Sequence, residues 1–222
     1  MPSVKSLNQI AIIWDWNGTL LDDVDICVEA MNRLLLAREL PQISAAHYRE
    51  VFRFPVKDYY FDLGFDFVKE PFEVPAMEFI QHYRDLLPNA RLFPAVRQTL
   101  ESFQQAGIRQ FVLSAMEQQL LHQLLQEHEL VHFFEHIQGI EDHFANGKLA
   151  AAQKLVQLFD VISISGIMIG DTLHDASVSE AIGIKAILFS GGHFSDKRLQ
   201  NSTFPVMQNF SEIRQFIENA IR

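Results

Sequence analysis

The order of apolar and polar positions predicts that strands and helices alternate over most of the 222-residue chain. The first apolar run, Ile10 to Trp14, is short and rich in β-branched residues, and it lacks clean alternation. Such a run is typical of a central parallel strand that is buried on both faces. Later apolar runs, separated by segments of helical spacing, end near Ser114, Gly139, Asp171 and Ser190. This alternation indicates an α/β fold with a doubly wound parallel sheet.

The stretch from Asp22 to Asn89 contains helical patterns and no convincing strand. Helices are expected directly after Leu21, from the N-cap residue Ser44 and from about residue 76 to 87. We therefore predict a core of residues 1–21 and 90–222, with a helical cap domain of residues 22–89 inserted after the first strand. A block in this position would suit a mobile lid over a site at the strand end. The alternative is that its many aromatic residues only pack together.

Composition and charge narrow the classes of function. The chain is 48% hydrophobic and can bury a full core, while its net charge of −10 argues against nucleic-acid binding. No apolar run approaches the length of a membrane span, and the N-terminal residues 1–9 do not form a signal-peptide core. The single cysteine, Cys27, is expected to be a small buried residue. We expect a cytoplasmic protein that binds neither nucleic acid nor membranes, and its oligomeric state stays open.

Candidate chemistry begins at Asp15, where the first strand ends. In open α/β sheets ligands bind at the carboxyl ends of strands. Asn17 and Gly18 predict a tight turn there, and the missing Cβ of Gly18 lets a ligand approach the backbone. Ser114 ends a later strand in the same way. Its hydroxyl and the backbone N–H groups that follow it, beginning with Ala115, are suited to donate to phosphate oxygens.

A second acidic motif, GDTLHD, follows an apolar strand and contains Asp171 and Asp175. Together with Asp15 these carboxylates would converge on one crevice, which requires a cation if a phosphate also binds. Oxygen-only ligands select a hard ion, and Mg²⁺ is the usual partner of phosphoryl substrates. Lys148, just before a helix, would offset the remaining negative charge. Lys154 is the competing lysine, but it lies inside an amphipathic helix.

These motifs, in this order, resemble the four motifs of the haloacid dehalogenase superfamily. Motif I, DxDGT, resembles the run from Asp15 to Thr19, and motif IV, GDxxxD, resembles GDTLHD; Ser114 and Lys148 stand at the places of motifs II and III. The helical insert resembles the C1-type cap of the phosphoglycolate phosphatase-like branch. The resemblance implies a magnesium-dependent phosphatase that acts on a small phosphorylated metabolite through an aspartyl-phosphate.

The resemblance also implies roles for individual residues. Asp15 would be the nucleophile, and Asn17, Ser114 and Lys148 would complete the catalytic set. Mg²⁺ would be held by Asp15, the Asn17 backbone carbonyl, Asp171 and Asp175. Candidate substrate-binding residues are Gly18, Thr19, Ala115, Arg53, Lys57, His174 and His193.

Asn17 departs from motif I, in which this position is the aspartate that protonates the leaving group and then activates water. An amide can hydrogen-bond but cannot exchange a proton, which removes an effect typically worth about 10²–10⁴-fold. The departure leaves three outcomes: a slow phosphatase, a leaving group that needs no acid, or another proton donor. His174 and His193 are the candidates for that donor.

Two alternative functions remain. One is a C–P bond hydrolase similar to phosphonoacetaldehyde hydrolase, which also lacks the second motif I aspartate and uses a cap lysine; DWNGT and the segment containing Arg53 and Lys57 resemble it. The other is a regulatory protein that binds phosphate or metal and has weak or lost turnover.

Overall fold

The computed structural model describes residues 10–141, 147–161 and 165–221. Its strands are β1 (Ala11–Trp14), β2 (Leu21–Asp22), β3 (Arg91–Leu92), β4 (Arg109–Glu117), β5 (His136–Ile140), β6 (Gly166–Gly170), β7 (Lys185–Phe189) and β8 (Val206–Met207). Six of them form one parallel sheet in the order β5-β4-β1-β6-β7-β8, and β2 pairs with β3 separately. The predicted parallel α/β sheet is therefore confirmed, with β1 in its interior.

The helices are α1 (Val24–Ala37), α2 (Ala45–Val51), α3 (Val56–Asp62), α4 (Glu73–Leu86), α5 (Val96–Gln105), α6 (Gln118–Glu127), α7 (Lys148–Phe159), α8 (Leu173–Ala181), α9 (Asp196–Gln200) and α10 (Phe210–Ile221). Short 3₁₀ turns occupy Leu87–Asn89 and Val131–Phe133. Within the described ranges, no helix has both the length and the apolar character needed to span a bilayer.

Strand β1 is buried on both faces, which explains why its sequence lacks alternation. Ile12 and Trp14 belong to the larger core, which includes residues of α5 and α10. The Trp14 ring stacks between Phe103 and Phe210, with centroid distances of 6.0 and 5.9 Å. The other two residues of β1 belong to a second core formed with α7 and α8. The end of β1 is held firmly because every side chain of the strand is packed.

Helices α1 to α4 lie between β2 and β3, in the part of the chain where the pattern predicts no convincing strand. The antiparallel pairs Leu21–Leu92 and Asp22–Arg91 bring the two ends of this segment together. Ser44 caps α2 as expected, since its side chain accepts from the His47 backbone N–H at 3.2 Å. The cap boundary of residues 22–89 stays a prediction.

Several element boundaries differ from the sequence expectation. Strand β4 continues past Ser114 to Glu117, because after a shift of register Glu117 still pairs with Ile140 of β5. Helix α8 starts at Leu173, since Thr172 caps it with a side chain that accepts from the Asp175 N–H. Helices α3 and α9 and strand β8 are short elements that the pattern does not predict. The N-terminal residues 1–9 and most of the loop expected between residues 141 and 148 lie outside the described residues.

Candidate active site

Asp15 follows β1 directly and is almost fully buried at the carboxyl edge of the sheet. Its backbone N–H donates to the Ile169 carbonyl at 2.8 Å, which fixes the residue beside β6. Lys148, the first residue of α7, donates from Nζ to Asp15 Oδ1 and, at 2.5 Å, to Asp175 Oδ1. One buried ammonium group therefore lies between two buried carboxylates.

The charges of this cluster are strongly perturbed by burial. Burial raises the pKa of Asp15 to about 8, although Lys148 acts against the rise. Burial likewise raises the pKa of Asp171 to about 6. For Lys148, burial lowers the pKa, but Asp15 and Asp175 outweigh it and the pKa lies above its usual value. The cluster thus holds three carboxyl groups for one ammonium group, and two of them ionise less readily than an exposed aspartate.

The donor set of the cluster fits a hard divalent cation. Ligand oxygens of Asp15, Asp171 and Asp175 lie within 4.8 Å of one another, and no softer ligand is among them. Asp175 is already committed, since Oδ1 accepts from Lys148 and Oδ2 accepts from the Thr172 backbone N–H at 3.0 Å and hydroxyl at 2.7 Å. Burial acts to raise the Asp175 pKa, yet Lys148 holds it below its ordinary value. The geometry favours Asp15 and Asp171 as direct ligands, with Asp175 anchoring Lys148 behind them.

Two glycines let the backbone close around Asp171. Gly18 has φ +69°, and a Cβ at either Gly18 or Gly192 would lie closer than 3.0 Å to the Asp171 carboxylate. The His193 backbone N–H donates to Asp171 Oδ2 at 2.6 Å. Thr19 Oγ1 lies 3.3 Å from Asp171 Oδ1 and 3.4 Å from an Asp15 oxygen. Asp171 is therefore held from several sides with one oxygen directed towards Asp15 and Thr19.

Asp23, which also lines the cavity, is fully buried and acts as a common hydrogen-bond acceptor. Its Oδ1 accepts from the Gly18 N–H at 2.8 Å, and Oδ2 accepts from Asn17 Nδ2 at 2.8 Å and from the Tyr83 hydroxyl at 2.7 Å. His193 Nε2 lies 3.4 Å from Oδ1. The turn that carries Asn17 is thus tied to α1 and α4 through one carboxylate.

The Asp23–His193 contact is an ion pair inside the protein. Burial lowers the pKa of His193, but Asp23 outweighs burial and raises the pKa to about 9. Burial raises the pKa of Asp23, but His193 and the hydrogen bonds outweigh it and hold the pKa below its ordinary value. The second ring nitrogen, Nδ1, lies 2.9 Å from the Tyr48 hydroxyl. Cys27 Sγ lies 3.8 Å from Asp23, and burial raises the thiol pKa well above its usual value.

This network determines which way the Asn17 amide faces. Nδ2 donates to Asp23 and to the Tyr83 hydroxyl, both at 2.8 Å. The amide oxygen, Oδ1, is the atom that stays available to the site, and it accepts a hydrogen bond from Ser114 Oγ at 3.4 Å. Ser114 Oγ also accepts from the Met116 N–H at 3.0 Å. Asn17 therefore presents an acceptor, and no proton, to this side of the site.

The remaining candidate substrate residues divide into two groups. Ala115, His174 and His193 line the cavity beside Asp15, and the His174 ring stacks on Phe54 at 4.5 Å. Burial lowers the pKa of His174. Arg53 and Lys57 are not among the lining residues. Arg53 forms a 2.8 Å ion pair with Asp62, and Lys57 lies 5.5 Å from the Phe67 ring centroid.

The cavity in front of Asp15 has a volume of about 230 Å³. The charged cluster is part of its lining, and most of its wall is apolar. Aromatic side chains from α2, α3, α4 and the α2–α3 loop supply much of that wall: Tyr48, Phe52, Phe54, Tyr59, Tyr60, Phe79 and Tyr83. The helical segment therefore supplies much of the surface that a bound molecule would touch beyond the carboxylates.

The sequence matches a known protein family over a range that contains the charged cluster of this site. The model of the family described as haloacid dehalogenase-like hydrolase matches residues 12–189, more than half of the chain. The chain belongs to this family. As a haloacid dehalogenase-like hydrolase it has Asp15 at the strand end, with Lys148 and Asp171 beside it.

Individual relatives indicate which kind of hydrolase this chain resembles. A phosphoglycolate phosphatase of Aliivibrio fischeri is 26% identical over 208 residues, which cover 86% of this chain and 88% of the relative. A haloacid dehalogenase-like family hydrolase from Streptococcus pneumoniae superposes with a TM-score of 0.82 at 20% identity, over 94% and 99% of the two chains. A "predicted phosphoglycolate phosphatase" from Haemophilus somnus gives 0.74 at 18% identity, over 94% and 98%. The two structures show the same fold, and the family with its curated relative supports a phosphatase enzyme.

Four residues of the hydrolase site escape the sequence analysis: Asp23, Tyr48, Tyr59 and Tyr83. An acidic residue at the start of a helix has an ordinary explanation in the helix dipole, so Asp23 carries no distinct signal. The tyrosines lie in an aromatic-rich segment where packing is the simplest interpretation. The Asp23–Tyr83 and Tyr48–His193 contacts join residues 60 and 145 positions apart, which no local pattern indicates.

Proposed function

We propose that this hydrolase is a magnesium-dependent phosphatase that acts on a small phosphorylated metabolite through an aspartyl-phosphate on Asp15. The main support is the position of Asp15, which is buried between Lys148 and Asp171 and opens onto the cavity. A carboxylate so placed can attack a phosphoryl group that enters from the cavity.

Mg²⁺ would be held by the carboxylates of Asp15 and Asp171 and by the Asn17 backbone carbonyl, with Asp175 behind them. When bound, it would neutralise charge on the phosphoryl oxygens and on the carboxylate cluster. Lys148 supplies a second cation at Asp15. Thr19 Oγ1 and the Ala115 N–H would supply donors to phosphoryl oxygens, whereas the Met116 N–H already donates to Ser114 Oγ.

The reaction would take place in two displacements. First an Asp15 oxygen bonds to phosphorus, the bond from phosphorus to the leaving oxygen breaks, and that oxygen departs with the electron pair and takes a proton from solvent. Water then bonds to phosphorus, the bond to Asp15 breaks, and the water protons leave with dihydrogen phosphate. Asp15 returns as a carboxylate. In-line placement by the cavity and the charges around Asp15 would provide most of the rate.

Asn17 sets the limit of this mechanism. Its Oδ1 can accept a hydrogen bond from the attacking water, but the amide can neither protonate the leaving group nor take the water proton. Both ring nitrogens of His193 are engaged, with Asp23 and Tyr48. His193 would have to break this pairing before it could exchange a proton with substrate, so His174 on the cavity wall is the better placed of the two histidines.

The structure offers no support for the C–P hydrolase alternative, which needs a lysine of the helical segment in the cavity. Lys57 lies over the rings of Phe67 and Phe72 instead. Of the lysines in the described ranges, only Lys148 lines the cavity, and it belongs to α7. The helical segment of residues 22–89 is proposed as a lid over this cavity, and the cytoplasmic location stays a prediction.

The test is phosphate release from acetyl phosphate and a panel of phosphomonoesters, with Mg²⁺ or with EDTA. We expect release only with Mg²⁺, together with an acid-stable label on Asp15 after quenching a reaction with ³²P-labelled acetyl phosphate. Asp15→Asn should lose both the label and the release. Turnover that persists in EDTA or in Asp15→Asn would refute the mechanism. If Mg²⁺ and a phosphate mimic raise the Tm without any release, the protein is a binding protein.

A further inference from the structure

One side chain that lines the cavity has a buried polar atom that the protein itself leaves unpaired. The Tyr59 side chain is 1% exposed and borders the cavity, and its hydroxyl has no hydrogen-bond partner among the described residues. A buried hydroxyl without a partner is costly, and native structures normally satisfy it. Because this hydroxyl has almost no accessible surface, a polar group of a ligand reaches it only when the neighbouring side chains move apart, and that group would then supply the missing hydrogen bond.

The rest of the wall is suited to a flat apolar group. Phe79 stacks on Tyr83 with an interplanar angle of 17°, and it also contacts the Tyr60 ring at 6.5 Å. A second pair of lining residues, Phe52 and Tyr48, stacks with an angle of 19°. Aromatic faces and edges of this kind favour a ring over a flexible polar chain. The volume of about 230 Å³ is below the usual range for drug-sized ligands, so the group is small.

The cavity has little to offer a second negative charge on the substrate. Within the described residues, the strongly basic side chains that line it are Lys148 and Arg84. Lys148 is held by two carboxylates, and the half-exposed Arg84 lies 3.8 Å from the Glu117 carboxylate. The His193 ring nitrogens are taken by Asp23 and Tyr48. Apart from Lys148, a substrate with a carboxylate next to its phosphate would find only the solvent-exposed Arg84 as a strongly basic partner among the described lining residues.

The amide at Asn17 points to the same class of leaving group. Asn17 has no proton to give, so this residue favours a leaving oxygen that can depart as an anion. A phenolic oxygen, whose pKa is near 10, is a far better leaving group than an alcohol oxygen. The missing proton donor at Asn17 and the aromatic wall of the cavity therefore both favour an aryl leaving group.

We propose that the substrate is a small aryl phosphomonoester, seated with its ring among the aromatic side chains of α2–α4 and with a ring substituent that hydrogen-bonds to the Tyr59 hydroxyl. This inference rests on the proposed function, because it assigns the group that the phosphatase removes. In the reaction the P–O(aryl) bond breaks, the aryl oxygen leaves as a phenolate with the electron pair, and solvent protonates it.

Binding of inert analogues tests the ligand class without turnover. Calorimetry in the presence of Mg²⁺ should show that phenylphosphonate binds at least about tenfold more tightly than phosphonoacetate, which is a difference of about 1.4 kcal/mol. Equal affinities, or a preference for phosphonoacetate, would overturn the assignment. A preference for phenylphosphonate without any hydrolysis would support the ligand class and count against the phosphatase.

Kinetics separate this inference from the proposed function. Acetyl phosphate has a leaving group that needs no acid and carries no ring, so its hydrolysis reports the phosphatase alone. We expect kcat/KM to be higher for phenyl phosphate than for phosphoglycolate, whose leaving group is an alcohol oxygen. Hydrolysis of acetyl phosphate without a preference for phenyl phosphate over phosphoglycolate would overturn the aryl assignment and leave the phosphatase intact. No hydrolysis and no phosphonate binding would overturn both.

Variants locate the ring. Phe79→Leu should raise the KM for phenyl phosphate several-fold, whereas Phe67→Leu, an aromatic residue of the same helical segment that does not line the cavity, should not. Tyr59→Phe should lower kcat/KM for hydroxyphenyl phosphates about tenfold or more and change phenyl phosphate little, because a site built to hydrogen-bond a group discriminates by its loss. Equal effects of Phe79→Leu and Phe67→Leu, or no effect of Tyr59→Phe on any hydroxyphenyl isomer, would contradict this placement.

Discussion

Replacing Asn17 with aspartate would restore the motif I sequence, but the structure predicts a loss of folding stability that the sequence alone does not show. Asn17 Nδ2 donates to the Asp23 carboxylate and to the Tyr83 hydroxyl. In Asn17→Asp, an oxygen replaces this donor, 2.8 Å from an oxygen of a fully buried carboxylate. The two carboxylates must then either repel each other or share a proton.

The magnitude follows from the distance. Two unit charges with centres roughly 4 Å apart interact by about 4 kcal/mol at an effective dielectric constant near 20. This repulsion would raise the pKa of the introduced carboxyl by about 3 units, from about 3.9 to near neutrality. Because the folded-state pKa exceeds the unfolded one, the variant should be nearly as stable as the wild type below pH 4. It should then lose about 4 kcal/mol as the pH rises to 8.

Urea unfolding of both proteins in EDTA at several pH values between 5 and 8 measures this difference. The matched control is the double variant Asn17→Asp/Asp23→Asn, which removes the second charge and should recover much of the loss at pH 8, measured against Asp23→Asn alone. In activity assays with Mg²⁺, a carboxyl with a near-neutral pKa should speed alkyl phosphates more than aryl phosphates. If Asn17→Asp were as stable as the wild type at pH 8, the inferred contact between Asn17 and Asp23 would be wrong.

Three further predictions concern the charged cluster itself. Asp15→Asn should fold normally and release phosphate at less than a tenth of the wild-type rate in steady-state assays, and a higher residual rate would exclude Asp15 as nucleophile. Mg²⁺ should raise the Tm of the wild type, because it neutralises buried carboxylates, and should have little effect on the Tm of Asp171→Ala; equal shifts would remove Asp171 from the ligand set. Gly18→Ala should lower Mg²⁺ affinity and stability in calorimetry, since its Cβ would collide with Asp171, whereas Gly183→Ala, which has open space at a similar φ, should leave Mg²⁺ affinity unchanged.

The sequence predicts best those features that depend on neighbouring residues. The burial of Ile12 and Trp14 follows from a local apolar run, and the place of Asp15 follows from the end of that run. Lys148 and Asp171 could be named as candidates because each adjoins a strand or a helix start that the pattern marks. Their meeting at one edge is a consequence of the parallel topology.

The hydrogen-bond network around Asp23 could not be predicted, for a physical reason. The Asp23 carboxylate is determined by partners on separate elements, Asn17, Tyr83 and His193, and each of these has an ordinary local explanation. The same holds for Arg53 and Lys57, whose basic character suggested a substrate role. Nearby Asp62 and Phe67 were available as partners, and only the folded chain shows that these contacts form.

The short ladder between β2 and β3 bears on how such enzymes change specificity. Leu21 pairs with Leu92 and Asp22 with Arg91, and the Phe93 N–H donates to the Leu20 carbonyl at 3.1 Å. The two ends of the segment that carries α1 to α4 therefore lie next to each other. The entropic cost of bringing the ends of a loop together grows only slowly with loop length. A segment of another length could therefore replace α1 to α4 with a small change in the free energy of folding. A different helical segment could therefore be inserted at this ladder, where it would leave the carboxylates in place and change which substrate reaches them.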